Sequence, residues 1–246
     1  MFETAFSLAQ KQQCSPHLAS GVTPLDELLG GGFEAGLSYL LYGSPYATQL
    51  LLRCAANALR QVAPDRGVVI IDGDQDASPS AVLDELKATA FPGNPAALLE
   101  YLHVARAFTT DQLLSLLTEA PSILQQTRAP ILFCANITKL LQQEEESAFP
   151  QAHIPRGELR SSSPFRRAQL ASQLKRLALS QAISVVASAE TDKSCDLALP
   201  RIGGVGRHAF QVHVGISQRG PVDIFTLEKH PSLPWQQRGT IASYDC

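Results

Sequence analysis

The chain has 246 residues, 45% of them apolar and 17% charged, which suits one α/β domain able to bury a substantial core. Its 20 lysines and arginines against 23 acidic residues leave a formal charge of −3, so no global field draws it onto nucleic acid or anionic lipid, and any DNA contact must be local. Five cysteines, at positions 14, 54, 134, 195 and 246, lack metal-ligand spacing and are odd in number, which argues against a closed disulfide framework. The apolar runs are too short to cross a bilayer, and residues 1–20 carry Glu3, Lys11 and several glutamines where a signal peptide would be apolar. The expected setting is intracellular, off the membrane and reducing.

Short apolar runs alternate with helical patterns from position 37 to about 186, the signature of βαβ units and a parallel sheet covered on both faces. Strands are expected at 37–42, 68–71, 131–134 and 183–187, and helices near 48–61, 80–89, 111–126 and 165–180. In the last helix Ser163 is placed to cap and Pro164 to occupy the first turn, while Leu170, Leu174 and Leu177 share a core-facing stripe. Residues 142–164, with Glu144 to Glu146, two prolines and Ser161 to Ser163, read as a long mobile loop. Alternating strands at 210–214 and 223–227, separated by Ser217, Arg219, Gly220 and Pro221, read as an antiparallel hairpin added at the sheet edge, with Trp235 packing there afterwards.

The segment 20–52 reads SGVTPLDELLGGGFEAGLSYLLYGSPYATQLLL. It resembles the stretch that opens the RecA core in archaeal RadA, its eukaryotic recombinase relatives and their paralogues, with Gly21, Leu25, Asp26, Leu28, Leu29 and Gly30 to Gly32 matching. The run YLHVARAFTTD at 101–111 resembles a strand and turn of that family. RGEL at 156–159 resembles the edge of its first DNA-binding loop, Gly203 and Gly204 stand where its second loop ends, and Lys229, His230 and Pro231 resemble the turn after its last hairpin. The resemblance implies a RecA-like P-loop ATPase core over residues 21–246: a mostly parallel sheet, helices on both faces and a C-terminal antiparallel hairpin. Residues 1–20 would be a linker, with no helical DNA-binding domain before it.

A working phosphate loop, G-x-x-x-x-G-K-[ST], cradles phosphates in backbone N–H groups at a helix N-terminus, neutralises them with lysine and holds Mg²⁺ through the hydroxyl. Here Gly43-Ser44-Pro45-Tyr46-Ala47-Thr48-Gln49-Leu50 follows the strand. Without a gap, Thr48 replaces the second glycine, Gln49 the lysine and Leu50 the hydroxyl residue; aligned on Thr48-Gln49-Leu50, the loop is about two residues shorter. Either way the lysine is gone. One charge-assisted contact is worth roughly 1.5 to 3 kcal/mol, and with the metal ligand also lost, affinity should fall by at least about two orders of magnitude. The central strand runs into Ala135 and Asn136 where the family has an acid, and Asp74 is the nearest acid to the missing catalytic glutamate. A rearranged metal site at Asp72 or Asp74 is the competing reading. The resemblance therefore implies a pseudo-ATPase with no catalytic residues, no resident metal and no tightly bound ATP or Mg²⁺.

Phe2-Glu3-Thr4-Ala5 resembles the F-x-x-A motif that links RadA-type protomers, in which Phe2 and Ala5 would fill pockets on a neighbouring core; otherwise the segment frays or packs on its own core. Arg156, Arg160, Arg166 and Arg167 cluster at the position of the first DNA loop, with Lys193, Arg201 and Arg207 around the second. They either meet phosphates of single-stranded DNA or are ordinary solvated charges. The implied role is a non-catalytic paralogue that binds an active recombinase or another paralogue and assists homologous recombination and double-strand-break repair, in the nucleus if the cell is eukaryotic. The alternatives are a DNA-dependent ATPase with an atypical nucleotide site and a RecA-like structural subunit outside DNA repair, as in ring-forming Elongator subunits.

Overall fold

The computed structural model describes residues 17–44, 46–73, 77–89, 93–147, 156–192, 199–219 and 222–241. In chain order the strands are β1 (His17–Leu18), β2 (Phe33–Glu34), β3 (Ser38–Tyr42), β4 (Val68–Asp72), β5 (Leu102–Arg106), β6 (Ile131–Ala135), β7 (Ser184–Ala189), β8 (Thr191–Asp192), β9 (Leu199–Pro200), β10 (Val212–Arg219), β11 (Val222–Lys229) and β12 (Gln236–Ile241). The helices are α1 (Thr23–Leu28), α2 (Ala47–Val62), α3 (Pro79–Ala88), α4 (Pro95–Leu98), α5 (Thr110–Thr127), α6 (Lys139–Ser147), α7 (Arg156–Gln181) and α8 (Gly203–Ala209).

Eight strands form one sheet in the order β12-β11-β10-β3-β7-β6-β4-β5. From β10 to β5 every neighbouring pair is parallel; β11 and β12 add antiparallel at one edge. Every residue of β3, β4, β6 and β7 is buried, which is why these segments read as unbroken apolar runs. Successive side chains part to opposite faces. Tyr39, Leu41, Ile70 and Phe133 join α1, α2 and α3 in one core layer, and Leu40, Tyr42, Ile71 and Cys134 join α5, α6 and α7 in the other. Leu170, Leu174 and Leu177 lie in the second layer, as their spacing predicts. Cys54 and Cys134 are buried free thiols, and burial pushes both well above the ordinary thiol range.

The landmark around Gly32 is scaffolding. Gly32 has φ +125°, and a Cβ there would stand 2.4 Å from the Leu18 carbonyl oxygen, so only glycine allows β1 to pair with β2. Asp26 Oδ1 accepts from the Ser20 amide at 2.6 Å, holding the chain entry against α1.

Four sequence expectations are corrected. The stretch 142–164 is not one loop: α6 covers its start and α7 begins at Arg156, leaving 148–155 outside the described residues. Ser163 and Pro164 resemble a helix start, but Pro164 sits inside α7, where it removes one backbone donor and its ring crowds the carbonyl one turn earlier. Ser217 and Arg219 belong to β10 rather than to the hairpin turn. Trp235 does not pack on the sheet edge; it is 65% exposed, and β12, too polar to read as a strand, forms the edge beside β11.

Candidate functional site

In an open parallel sheet, ligands bind outside the carboxyl ends of the strands, and here these are the ends of β3, β7, β6 and β4. Gly43 leaves β3 with φ +115°, and a Cβ there would lie 2.2 Å from the Ile216 carbonyl oxygen of β10, so the glycine is fixed by that close approach. Only residues 44–46 separate it from the first residue of α2. Within this short connection the Ala47 amide donates to the Ser44 carbonyl at 2.9 Å and the Tyr46 amide to Ser44 Oγ at 3.2 Å. Two N–H groups at the helix start are thus spent inside the turn.

Thr48 lies in the first turn of α2, and its Oγ1 is 3.1 Å from Ser188 Oγ near the end of β7. The Ser188 hydroxyl also accepts from the Asn136 amide at 2.8 Å, tying α2 to the residue that follows β6. Asn136 adopts φ +43°, and the next amide, of Ile137, donates to the Ser188 carbonyl at 3.0 Å. Gln49 is exposed and hydrogen-bonds the half-buried carboxylate of Glu85 on α3. Burial raises the Glu85 pKa, opposed by nearby Arg53 and by Gln49. Leu50 is fully buried in the core. Ala135 ends β6, fully buried and paired in register with Asp72 of β4. Asp72 is fully buried; its Oδ2 accepts from the Ala77 amide at 3.2 Å and lies 3.9 Å from Arg106 Nε. Asp74 lies outside the described residues.

The cations divide differently. Arg166 Nη1 reaches Asp111 Oδ1 of α5 and Glu144 Oε2 of α6, both at 3.2 Å, and Arg167 pairs with Glu145 of α6. Arg167, Arg201, Arg207 and Glu145 line one cavity of about 300 Å³ closed by Leu199, Pro200, Gly203 and Gly204. The structure therefore brings one cation from the first loop region together with two from the second. Arg156 and Arg160 fall in the opening turns of α7, where only the backbone is described. Phe2, Ala5 and Lys193 lie outside the described residues. Sequence reading missed Ser188, hidden in an apolar strand, and missed that Glu144 and Glu145 answer the arginines.

Strand order, two helical layers and the crevice beyond β3 and β6 define a RecA-like α/β core. The chain belongs to the Rad51 family, whose model matches residues 11–207. It is 29% identical over 247 aligned positions to DNA repair protein RAD51 homolog 1 of Arabidopsis thaliana, covering 95% of this chain and 69% of that protein. It is 28% identical over 198 positions to DNA repair protein RAD51 homolog B of Zea mays, covering 77% of this chain and 55% of that protein. It is 26% identical over 248 positions to DNA repair protein RAD51 of Mycosarcoma maydis, covering 95% and 70%. Among the described residues no helix is long and apolar enough to cross a membrane.

Proposed function

We propose that this chain is a non-catalytic RecA-fold paralogue that binds an active recombinase or another paralogue and assists homologous recombination and DNA repair. Membership of the Rad51 family supports the repair role. The observation that carries the non-catalytic reading is the short turn at 44–46: its amides bond to Ser44, and the Thr48 hydroxyl faces Ser188. A triphosphate would find neither a lysine nor a full cradle of free N–H groups there, and phosphoryl transfer depends on such preorganised charge. Ala135 carries no acid, and the Asp72 carboxylate has a backbone donor and Arg106 beside it.

ATP and Mg²⁺ accordingly have no tight site, and the retained surfaces serve protein partners and, through the cavity of Arg167, Arg201 and Arg207, single-stranded DNA. Titration of a fluorescent ATP analogue with Mg²⁺ tests the reading: no saturation in the micromolar range is expected, and micromolar or tighter binding would discard it. Affinity purification from cells should recover a RecA-fold recombinase or paralogue. Recovery of tRNA-modification subunits without any recombinase would move the chain outside repair.

A further inference from the structure

The carboxyl half of α7 and the short α8 enclose a groove of about 620 Å³ that the nucleotide crevice does not use. Its centre is aliphatic. Leu179 and Val205 are 56% and 67% exposed and face the groove with Ala209. Its rim carries the two cations Lys175 and Arg176 with the His208 ring beside them, and the residues that line it include no acid. Leu179 and Val205 form one small apolar patch rimmed by polar side chains, whereas singly scattered exposed apolar residues are ordinary.

The wall is also built in advance. Lys229 Nζ donates to the carbonyls of His208 at 3.3 Å and Phe210 at 2.5 Å, and the His213 ring donates through Nε2 to the Arg207 carbonyl at 2.8 Å. These three bonds hold the carboxyl end of α8 against the sheet. Burial, and then Lys175, depress the Lys229 pKa, so positive charge is crowded behind the groove as well as along its rim.

We propose that the groove between α7 and α8 is a docking site for an acidic amphipathic helix of a partner protein. The apolar face of such a helix would cover Leu179 and Val205, and its carboxylates would meet Lys175, Arg176 and His208. Nucleic acid fits less well, because the groove centre offers aliphatic side chains and no aromatic platform for bases. The inference rests on the groove alone and stands whether or not the chain binds ATP.

The test uses the full chain and fluorescent helical peptides with leucine or phenylalanine at i, i+4 and i+7 and glutamate or aspartate between them, titrated by anisotropy. Saturable binding is expected, weakened by added salt and abolished when the acidic positions are changed to lysine. The double variants Leu179→Ser with Val205→Ser, and Lys175→Glu with Arg176→Glu, should each weaken binding roughly tenfold or more. All four side chains are at least partly exposed, so unchanged thermal melting is expected and certifies the fold. The proposal fails if no peptide of the set binds or if both variants bind as the parent does. It fails equally if a single-stranded oligonucleotide, and no peptide, binds and is released by the same substitutions.

Discussion

Ser188→Ala isolates the link between the shortened loop and the end of the central strand. The hydroxyl is fully buried and serves two partners, accepting from the Asn136 amide at 2.8 Å and facing Thr48 Oγ1 at 3.1 Å. Removing it leaves a buried N–H without its acceptor, a loss of about 1 to 3 kcal/mol, whereas the exchange with the half-buried Thr48 is worth about 1 kcal/mol or less because water can replace it. A destabilisation of about 2 kcal/mol should lower the melting temperature by roughly 4 to 8 °C for a domain of this size. Urea unfolding of Ser188→Ala, Thr48→Val and the double variant forms a cycle whose coupling should be about 0.5 to 1 kcal/mol. Saturating Mg²⁺ and ATP should shift none of the four melting curves, since only a ligand that binds the folded state stabilises it. The reasoning fails if Ser188→Ala is as stable as the parent. It fails too if nucleotide raises the parent's melting point and Thr48→Val removes that rise, for the hydroxyl would then serve a metal.

Gly43→Ala should destabilise the chain by about 3 kcal/mol or more, or prevent folding, because it combines a positive φ with a Cβ 2.2 Å from the Ile216 carbonyl; soluble yield and urea midpoint report it. His213 titrates at about 4 in the fold, lowered mainly by burial and then by Lys229, against 6.5 when unfolded. Its contribution is therefore complete above pH 6.5 and lost as pH falls towards 4, so stability should drop across that window and drop less steeply in His213→Gln, measured by urea unfolding at successive pH values. Phe2→Ala should weaken binding to the recombinase partner by roughly 2 kcal/mol, as for a buried aromatic anchor, and calorimetric titration of parent and variant with the purified partner would show it.

The four fully buried parallel strands β3, β4, β6 and β7 were legible to within one or two residues because burial on both faces leaves a continuous apolar run. The start of α7 was not, since Ser163 and Pro164 form a good start signal that a helix already under way can override. β12 offered no pattern, being an edge strand that begins Gln236, Gln237 and Arg238. At the site, side-chain type could be read directly: Gln49 brings no ammonium and Ala135 no carboxylate. Contacts across the chain could not. Arg166 and Arg167 were grouped with the first DNA loop because their partners, Glu144 and Glu145, lie 22 residues earlier in what read as a mobile loop.

Where the family pattern survives and where it fails has a physical logic. Gly32 and Asp26 serve β1, β2 and α1 at the amino end of β3, where any member of the fold must pack the same way. Gly43, at the other end, is retained although the phosphate loop around it has changed, because its hydrogen faces the Ile216 carbonyl and not a ligand. The differing positions include Leu50 and Ala135, which are fully buried, and Gln49, which is exposed and bonds Glu85. Thr48 directs its hydroxyl at Ser188, 3.1 Å away, and so ties α2 to the end of β7. Packing alone accounts for glycine at 32 and 43, so resemblance across that stretch bears on the fold, and turnover is a separate question that the nucleotide titration answers.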